Sequence, residues 1–304
     1  MNKIYMPENI YNKNFGNYKN GDLQAAIESG EILEAPVIKC DKELNLTVQL
    51  GSNAVGILPF EEFEYSIHNK PTKMSAVVSK IGKFIKFKVT GVDTIDGNTV
   101  YKLSRKQAQK ECYDNYISKL QIGQVVNAKV TYLETYGAFC DIGCGLVALL
   151  PADSVCVAKI TDTKKNLAGM GKIKAVVKKI ENGMITLTHK ELLGTWEENV
   201  ANLNKGDIIP GKVKGIEEYG VFVELTPNLV GLADPYPDAK ENDIVNVFIK
   251  SIYPEKMKVK LVIVGKGTES SGKIHYNYRL PESGFIRDWV YSPDCCDRKI
   301  ESHF

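Results

Sequence analysis

An internal repeat constrains the fold of this chain more strongly than any other feature of its sequence. When the middle of the chain is aligned with the following segment at an offset of 83 positions, Gly123 falls on Gly206 and no gap is needed. Other matched positions carry the same residue type in both copies: Lys129 and Lys212, Val130 and Val213, Tyr136 and Tyr219, Gly137 and Gly220, Phe139 and Phe222, Leu146 and Leu229, Val147 and Val230, and Leu149 and Leu232. We therefore expect two consecutive domains with one fold.

A third and more divergent copy lies upstream of these two. Its matches to the second copy are Gly30 with Gly123, Ala35 with Ala128, Val37 with Val130 and, after a one-residue gap, Gly56-Ile-Leu-Pro59 with Ala148-Leu-Leu-Pro151. The closing segment agrees as well, because Leu103-Ser-Arg-Lys106 matches Leu187-Thr-His-Lys190. A chain of 304 residues is long enough for three such domains, each with its own core.

Short apolar and β-branched runs within each copy predict strands rather than helices. In the second copy these runs lie at 125–133, 138–142, 173–180 and 184–188. Asn182-Gly183 predicts a tight hairpin turn, and Asp96-Gly97-Asn98 predicts the same turn in the first copy. Five short strands in about 75 residues are typical of a small closed barrel of the OB type. We therefore predict an all-β-dominated protein with three tandem five-stranded OB-fold barrels that are joined by short helices.

Helix signals separate the three copies. Residues Asp22–Ser29 begin with an Asp N-cap signature and end at Gly30, and Thr195 with Glu198 forms a capping box ahead of a helix that extends to Leu203. The expected domains are a flexible N-terminal segment (1–21), a first, degenerate barrel (22–105), a linker helix (106–120), a second barrel (121–190), a linker helix (191–203), a third barrel (204–266) and an aromatic-rich C-terminal tail (267–304).

The distribution of apolar residues, cysteines and histidines argues against several classes of protein. No apolar run approaches the roughly 20 residues that a membrane-spanning helix needs, and the N-terminus lacks the apolar stretch of a signal peptide. The seven cysteines follow no regular framework, and neither they nor the four histidines form a metal-ligand pattern. We therefore expect a cytoplasmic protein with reduced thiols, no membrane contact, no metal site and no cofactor.

Two related motifs connect the repeat with a known family. Tyr136-Gly-Ala-Phe-Cys-Asp141 and Tyr219-Gly-Val-Phe-Val-Glu224 each follow a Gly-led strand that contains Lys-Val. With the Leu-Pro corner and the closing Leu-Ser/Thr-x-Lys segment, residues 25–266 resemble the tandem S1 RNA-binding domains of ribosomal protein S1, in its short few-repeat form from low-GC Gram-positive bacteria or their phages. The resemblance implies binding to messenger RNA, association with the small (30S) ribosomal subunit and no catalytic activity. We expect a monomer whose partner is single-stranded RNA.

The aromatic motif also predicts an RNA-binding surface from the chemistry of its residues. Rings on a barrel face offer stacking platforms to unpaired bases, and lysines beside them can neutralise phosphates. The predicted RNA-binding residues are Lys129, Tyr136, Phe139 and Asp141 in the second copy, and Lys212, Lys214, Tyr219, Phe222 and Lys258 in the third. The alternative is that these rings belong to the barrel cores, since a Tyr or Phe on a strand is buried more often than not.

Departures from the family pattern weaken the predicted sites. The family usually has a His after the Gly-Leu-Val corner and an Arg in the last strand, and these places hold Pro151 and Met184 in the second copy, and Asp234 and Lys258 in the third. In the first copy Leu44 and Thr47 replace the aromatic pair, which predicts a structural or protein-binding role for that barrel.

Three functions remain compatible with the sequence. We favour a non-catalytic, translation-linked protein that binds single-stranded RNA. The second is a scaffold, or an accessory factor in transcription or RNA decay, that acts through protein contacts. The third is an RNA-processing enzyme, although no segment outside the barrels gathers paired carboxylates, a P-loop or a metal cluster. The C-terminal tail is expected to pack on the third barrel, with an additional contact to RNA or the ribosome as the alternative.

Overall fold

The described part of the chain folds into three closed β-barrels of five strands each, which follow one another in sequence. The structure is a computed structural model that describes residues 5–9, 17–52, 54–67, 71–95, 98–158, 167, 169–267 and 277–304. In every barrel the first strand pairs antiparallel with the second, and the second pairs antiparallel with the third. The third strand pairs in parallel with the fifth. The predicted architecture of three tandem OB-type barrels is therefore confirmed.

The first barrel follows helix α1 (Asn20–Ser29), which ends at Gly30 in the left-handed region. Its remaining elements are strands β1 (Ile32–Cys40), β2 (Leu46–Gly51), β3 (Ala54–Leu58), β4 (Phe84–Ile95) and β5 (Asn98–Ser104), and a short helix α2 (Met74–Val78) before β4. Asp22 is not the N-cap that the sequence predicts. It lies inside the first turn and accepts a hydrogen bond from the amide of Lys19 at 2.9 Å, so the helix begins earlier.

The second barrel contains strands β6 (Val125–Glu134), β7 (Gly137–Gly143), β8 (Leu146–Pro151), β9 (Lys172–Glu181) and β10 (Met184–Thr188). Asn182 and Gly183 have φ angles of 47° and 74°, which a two-residue turn between antiparallel strands requires. The hairpin predicted at these residues is confirmed. Of the corresponding turn in the first barrel, Asp96 and Gly97 lie outside the described residues, and Asn98 begins β5.

The third barrel contains strands β11 (Ile208–Glu217), β12 (Gly220–Thr226), β13 (Leu229–Ala233), β14 (Ile244–Tyr253) and β15 (Lys258–Lys266). A Cβ at Gly231 would come within 2.5 Å of the Leu261 side chain, so glycine allows β13 to lie close to β15. Gly56 and Leu103 have the same relation in the first barrel. The first and third barrels therefore share this packing contact as well as their sequence pattern.

Short capped helices connect the barrels. Helix α3 (Arg105–Asn115) has Ser104 as its N-cap, whose hydroxyl accepts from the Gln107 amide at 3.0 Å. Helix α4 (Trp196–Val200) has the predicted capping box, because Thr195 Oγ1 accepts from the Glu198 amide at 3.2 Å and the Glu198 carboxylate accepts from the Thr195 amide at 2.7 Å. The Trp196 ring packs into the core of the third barrel.

The described part of the N-terminal segment packs between the first two barrels. Glu8, which is 4% exposed, accepts hydrogen bonds from Arg105 Nε and Nη2 at 2.7 and 3.1 Å and from Lys80 Nζ at 2.7 Å. The Glu8 amide donates to Asp141 of the second barrel at 2.7 Å. A buried ionic cluster therefore joins the two barrels, whereas the sequence predicts a flexible segment here.

Residues 277–304, called the C-terminal arm below, join the second and third barrels. The carbonyl of Gly284 accepts from the amide of Val125, so the arm contacts the start of β6 in the second barrel. The arm then forms a two-stranded sheet of β16 (Asp288–Val290) and β17 (Glu301–His303). Trp289 and Tyr291 pack into the core of the third barrel. The arm thus contacts both barrels and not only the third.

Candidate nucleic-acid interface

The aromatic pair of the second barrel lies on its outer surface. Tyr136 occupies the turn between β6 and β7 and is 56% exposed, and Phe139 on β7 is half-buried beside it. The ring centroids are 6.4 Å apart, and the ring planes are nearly perpendicular at 85°. A Cβ at Gly137 would overlap with the carbonyl oxygen of Leu150, so the close approach of the turn to β8 requires a glycine between the two rings.

The third barrel repeats this arrangement. Tyr219 is 65% exposed, Phe222 is half-buried, and their centroids lie 6.1 Å apart at an interplanar angle of 89°. Gly220 has a φ of 154°, and a Cβ there would overlap with the carbonyl oxygen of Ala233. The exposure of both tyrosines excludes the alternative that they are core residues. In each pair one ring meets the other edge-on, so the two rings do not form parallel stacking platforms.

A row of outward residues crosses the second, third and fifth strands of every barrel. The row consists of Thr47, Ile57 and Lys102 in the first barrel, of Phe139, Leu149 and Thr186 in the second, and of Phe222, Leu232 and Lys260 in the third. Thr47 thus occupies the position of the two phenylalanines. Leu44 has a φ of 67° and packs against the core of its barrel. The first barrel therefore presents no ring at this place.

Tyr132 adds a third ring to the second barrel that the sequence interpretation misses. It is 58% exposed and lies opposite Phe139 across β6 and β7. Strict alternation from the buried Val126 and Ala128 would point it inward. A bulge between Val130 and Tyr132 reverses the alternation and turns the ring outward. The Tyr was visible in the sequence, but the bulge that exposes it was not.

Lysines of the third barrel differ in their freedom to meet a phosphate. Lys214 Nζ forms an ion pair with Glu224 at 2.7 Å, and Lys212 is half-buried on the same strand. Lys258 is exposed at the start of β15 and forms no ion pair with any residue that the structure describes. The Lys260 ammonium lies 5.7 Å from the centroid of the Tyr253 ring. Of these lysines, the two on β15 are therefore the more available to a phosphate.

Asp141 does not share the exposed surface with the rings. It is 1% exposed and accepts hydrogen bonds from the amides of Glu8 at 2.7 Å, Gly143 at 2.8 Å and Gly145 at 3.0 Å. Burial, and then the nearby Glu8 carboxylate, raise the pKa of Asp141 to about 7. The spacing Asp-x-Gly-x-Gly is typical of an Asp that binds backbone amides ahead of it, and this signal could have placed the residue correctly.

Lys129 is also engaged within the protein. Its ammonium donates to the carbonyl oxygens of Glu8 at 3.2 Å and Asn9 at 3.1 Å. Burial lowers its pKa, although Asp141 acts in the opposite direction. The structure thus brings Tyr136 and Phe139 together on the surface and assigns Lys129 and Asp141 to the junction with the N-terminal segment.

The exposed groups of this interface include rings, aliphatic side chains and ammonium groups. Such groups can stack on bases and neutralise phosphates. In the part of the chain that the structure describes, no three His, Cys, Asp or Glu side chains are grouped so that they could hold a metal ion. No helix among the same residues has the length and apolar character that crossing a bilayer requires.

Sequence comparisons relate the chain to one kind of ribosomal protein. Small ribosomal subunit protein bS1 of Leuconostoc lactis is 27% identical over 195 residues, which cover 59% of this chain and 45% of that protein. The bS1 of Staphylococcus haemolyticus is 27% identical over 262 residues, which cover 79% of this chain and 63% of the relative. The chain is similar to bS1. The resemblance to ribosomal protein S1 that the repeat motifs indicate is thereby confirmed.

The extent of the similarity has limits. The chain spans about half the length of the curated relatives that it matches. No family model matches it. A multidomain protein with nucleic acid binding domains from Streptococcus pneumoniae is 14% identical and covers 79% of this chain and 75% of its own, but its TM-score is 0.27. A superposition this poor does not bear on function.

Proposed function

We propose that the protein binds single-stranded RNA through the ring pairs of its second and third barrels. The observation that carries the proposal is the recurrence of an exposed Tyr and a half-buried Phe at equivalent positions, Tyr136 with Phe139 and Tyr219 with Phe222. Stacking of one base on such a ring contributes about 1 to 3 kcal/mol and tolerates any base, because every base has a π-face.

The similarity to bS1 supports a more specific proposal. We infer that the RNA is messenger RNA and that the protein acts in translation, in association with the small ribosomal subunit. In this proposal the protein works as a monomer, by binding and not by catalysis. Because only two of the barrels carry ring pairs, we expect modest affinity from each barrel and higher affinity from the two together, since the second contact is made at high effective concentration.

A titration with matched oligonucleotides tests the central proposal. The full chain is titrated into a labelled single strand and into a perfect duplex of equal length, at one fixed salt concentration because phosphate contacts make affinity salt-dependent. We expect tighter binding to the single strand, since paired bases cannot stack on protein rings. Equal or tighter binding to the duplex would contradict the proposal.

A set of variants then locates the site. Replacement of all four ring residues, Tyr136, Phe139, Tyr219 and Phe222, by Ala should abolish most of the affinity. The matched control is Ile38→Ala with Val92→Ala, because both side chains are about half exposed on the first barrel, at 50% and 51%. If the ring variant and the control bind alike while both remain folded, the ring surfaces are not the binding site.

A further inference from the structure

The ring pair of the third barrel, with its exposed Tyr219, lines a groove. A cavity of about 1250 Å³ contains Tyr219 and Phe222 in one of its walls. Residues 155–158 of the second barrel also line this cavity, together with Cys296, Arg298 and Ile300 from the C-terminal arm. The arm therefore contributes surface at the place where the proposed RNA site lies, although it is outside the three repeats.

Hydrogen bonds fix the arm in this position. Tyr291 is 4% exposed, and its hydroxyl donates to the carbonyl oxygen of Asn228 at 2.7 Å. The amide of Tyr291 donates to the Ile300 carbonyl at 2.8 Å, and the Ile300 amide donates to Ser292 Oγ at 2.8 Å. Segment 291–300 is thus a loop closed on itself and bound to the third barrel.

The same Asn228 also binds the part of the lining that comes from the second barrel. Its side-chain oxygen accepts from the amide of Val157 at 2.8 Å, and its side-chain nitrogen donates to the carbonyls of Lys190 and Gly194, both at 3.1 Å. Asn228 is 2% exposed. Asn228 thus links three parts of the protein: its side chain bonds the second barrel and the segment before helix α4, and its main-chain carbonyl bonds the arm.

Charge indicates where a phosphate could bind in the groove. Acidic side chains line it as well as basic ones, so its overall charge favours neither sign: the acids are Glu217, Glu224, Glu241, Glu255 and Asp297. Lys214 is neutralised by Glu224. In contrast, Lys258 and Arg298 form no ion pair with any described residue, and they belong to different elements that line the groove, β15 and the arm.

We propose that the C-terminal arm forms part of the wall of a single-strand groove and that Arg298 contacts an RNA phosphate while bases stack on Tyr219 and Phe222. The proposal rests on the proposed function of the ring pairs and extends it to a segment outside the barrels. A guanidinium is suited to this role, because its planar fork donates two hydrogen bonds to one phosphate. The arm then both holds the third barrel and completes its RNA site.

Substitutions of Arg298 in the full chain test this proposal. The probe is a labelled oligouridylate of about 12 nucleotides, within the range that OB-type barrels cover. Arg298→Ala should weaken binding by about three- to tenfold and reduce the slope of log K against log salt by about 0.7, the loss of one phosphate contact with a single strand. Arg298→Lys should bind with an affinity between those of Arg298→Ala and the wild-type chain, because it keeps the charge but loses the planar fork. Melting curves confirm that each variant is folded.

Arg287→Ala is the matched control. Arg287 is an exposed arginine of the same arm that does not line the groove, so its removal should leave affinity and salt slope unchanged. Equal losses from Arg287→Ala and Arg298→Ala would overturn the inference, because the effect would then be one of net charge. If Arg298→Ala binds like the wild-type chain while Tyr219→Ala with Phe222→Ala does not, the arm is not part of the site but the proposed function stands. If the wild-type chain binds no single strand, both proposals are wrong.

Discussion

The two junctions between the barrels are built from opposite chemistry. The first and second barrels meet around Glu8, whose buried carboxylate is paired with Arg105 and Lys80. The second barrel meets the third around Asn228 and meets the arm around His189, and both residues are buried and hydrogen-bonded as neutral groups. A buried ion depends on its partner, and a buried neutral base depends on remaining unprotonated. The two junctions should therefore respond differently to mutation and to pH.

Histidine chemistry defines the second junction. His189 Nδ1 lies 2.9 Å from the carbonyl oxygen of Val155, so this nitrogen carries the proton and donates. His189 Nε2 then accepts from the Tyr278 hydroxyl at 3.2 Å, and that hydroxyl accepts from the Lys174 amide at 3.2 Å. Burial lowers the pKa of His189 to about 4, although the bond to Val155 opposes this. Protonation would remove the acceptor that Tyr278 of the arm uses.

The largest effect is expected at the ionic junction. Glu8→Ala leaves the Arg105 guanidinium, which is 2% exposed, without its carboxylate partner. The loss of one member of a buried pair typically costs about 3 to 5 kcal/mol, and we expect the free energy of unfolding in a urea titration to fall by that amount. Glu31→Ala, at an exposed position, is the control and should change stability little. A loss below about 1 kcal/mol from Glu8→Ala would mean that the cluster does not hold the barrels together.

The neutral junction should weaken in acid. Because the folded pKa of His189 is about 4 and the usual value is 6.5, the unfolded chain binds more protons between these limits. Neutral His189 therefore makes its full contribution to the free energy of unfolding above pH 6.5. As the pH falls from 6.5 to 4, the protein loses about 3 kcal/mol of this stability. His189→Gln should lose this pH dependence, as measured by urea titrations across the interval. An unchanged pH profile in that variant would assign the titration to another group.

The ionic junction should oppose this trend. The pKa of Asp141 is raised to about 7, so the folded state binds the proton more readily than the unfolded state above the usual value of 3.8. Ionised Asp141 therefore lowers the free energy of unfolding most strongly above pH 7, and this destabilisation disappears as the pH falls towards 3.8. Asp141→Asn should therefore steepen the loss of stability in acid, because the opposing effect of Asp141 is then absent. If this variant flattens the profile, the pKa of Asp141 is not raised.

The sequence predicts the barrels far better than it predicts these junctions. The 83-position repeat, the Asn182-Gly183 turn and the Thr195 capping box are local signals, and each has the structure that its pattern indicates. The position of Glu8 depends on partners about a hundred residues away, such as Arg105 and Asp141, and no local pattern specifies such a contact. Tyr132 shows the same limit on a smaller scale, since one bulge decides which way its ring points.

The ring pair of the second barrel lies outside the buried cores of both junctions. Its replacement should therefore weaken RNA binding and leave the junctions intact. Tyr136→Ala with Phe139→Ala should weaken binding to a labelled single strand tenfold or more, since two stacked bases at about 1 to 3 kcal/mol each are lost. The variant should remain folded, because Tyr136 is largely exposed and Phe139 is only half-buried. Thr47→Ala, at the position of Phe139 in the first barrel, is the matched control and should bind like the parent. A variant that melts and binds like the parent would remove this ring pair from the site.

The smallest expected effect is a difference between two lysines, Lys129 and Lys258, both of which the sequence predicts to bind RNA. Lys129 Nζ already donates to the carbonyls of Glu8 and Asn9 at the ionic junction, whereas Lys258 is exposed and forms no ion pair with any described residue. Lys258→Met should therefore reduce the salt slope of RNA binding by about 0.7, the value for one phosphate contact with a single strand. Lys129→Met should leave that slope unchanged and lower stability instead, because two carbonyl oxygens lose a charged donor. Oligonucleotide titrations at several salt concentrations, together with urea titrations of both variants, distinguish the two outcomes. A reduced slope in Lys129→Met with unchanged stability would mean that this lysine leaves the junction to bind RNA, and the boundary between junction and interface would then lie elsewhere.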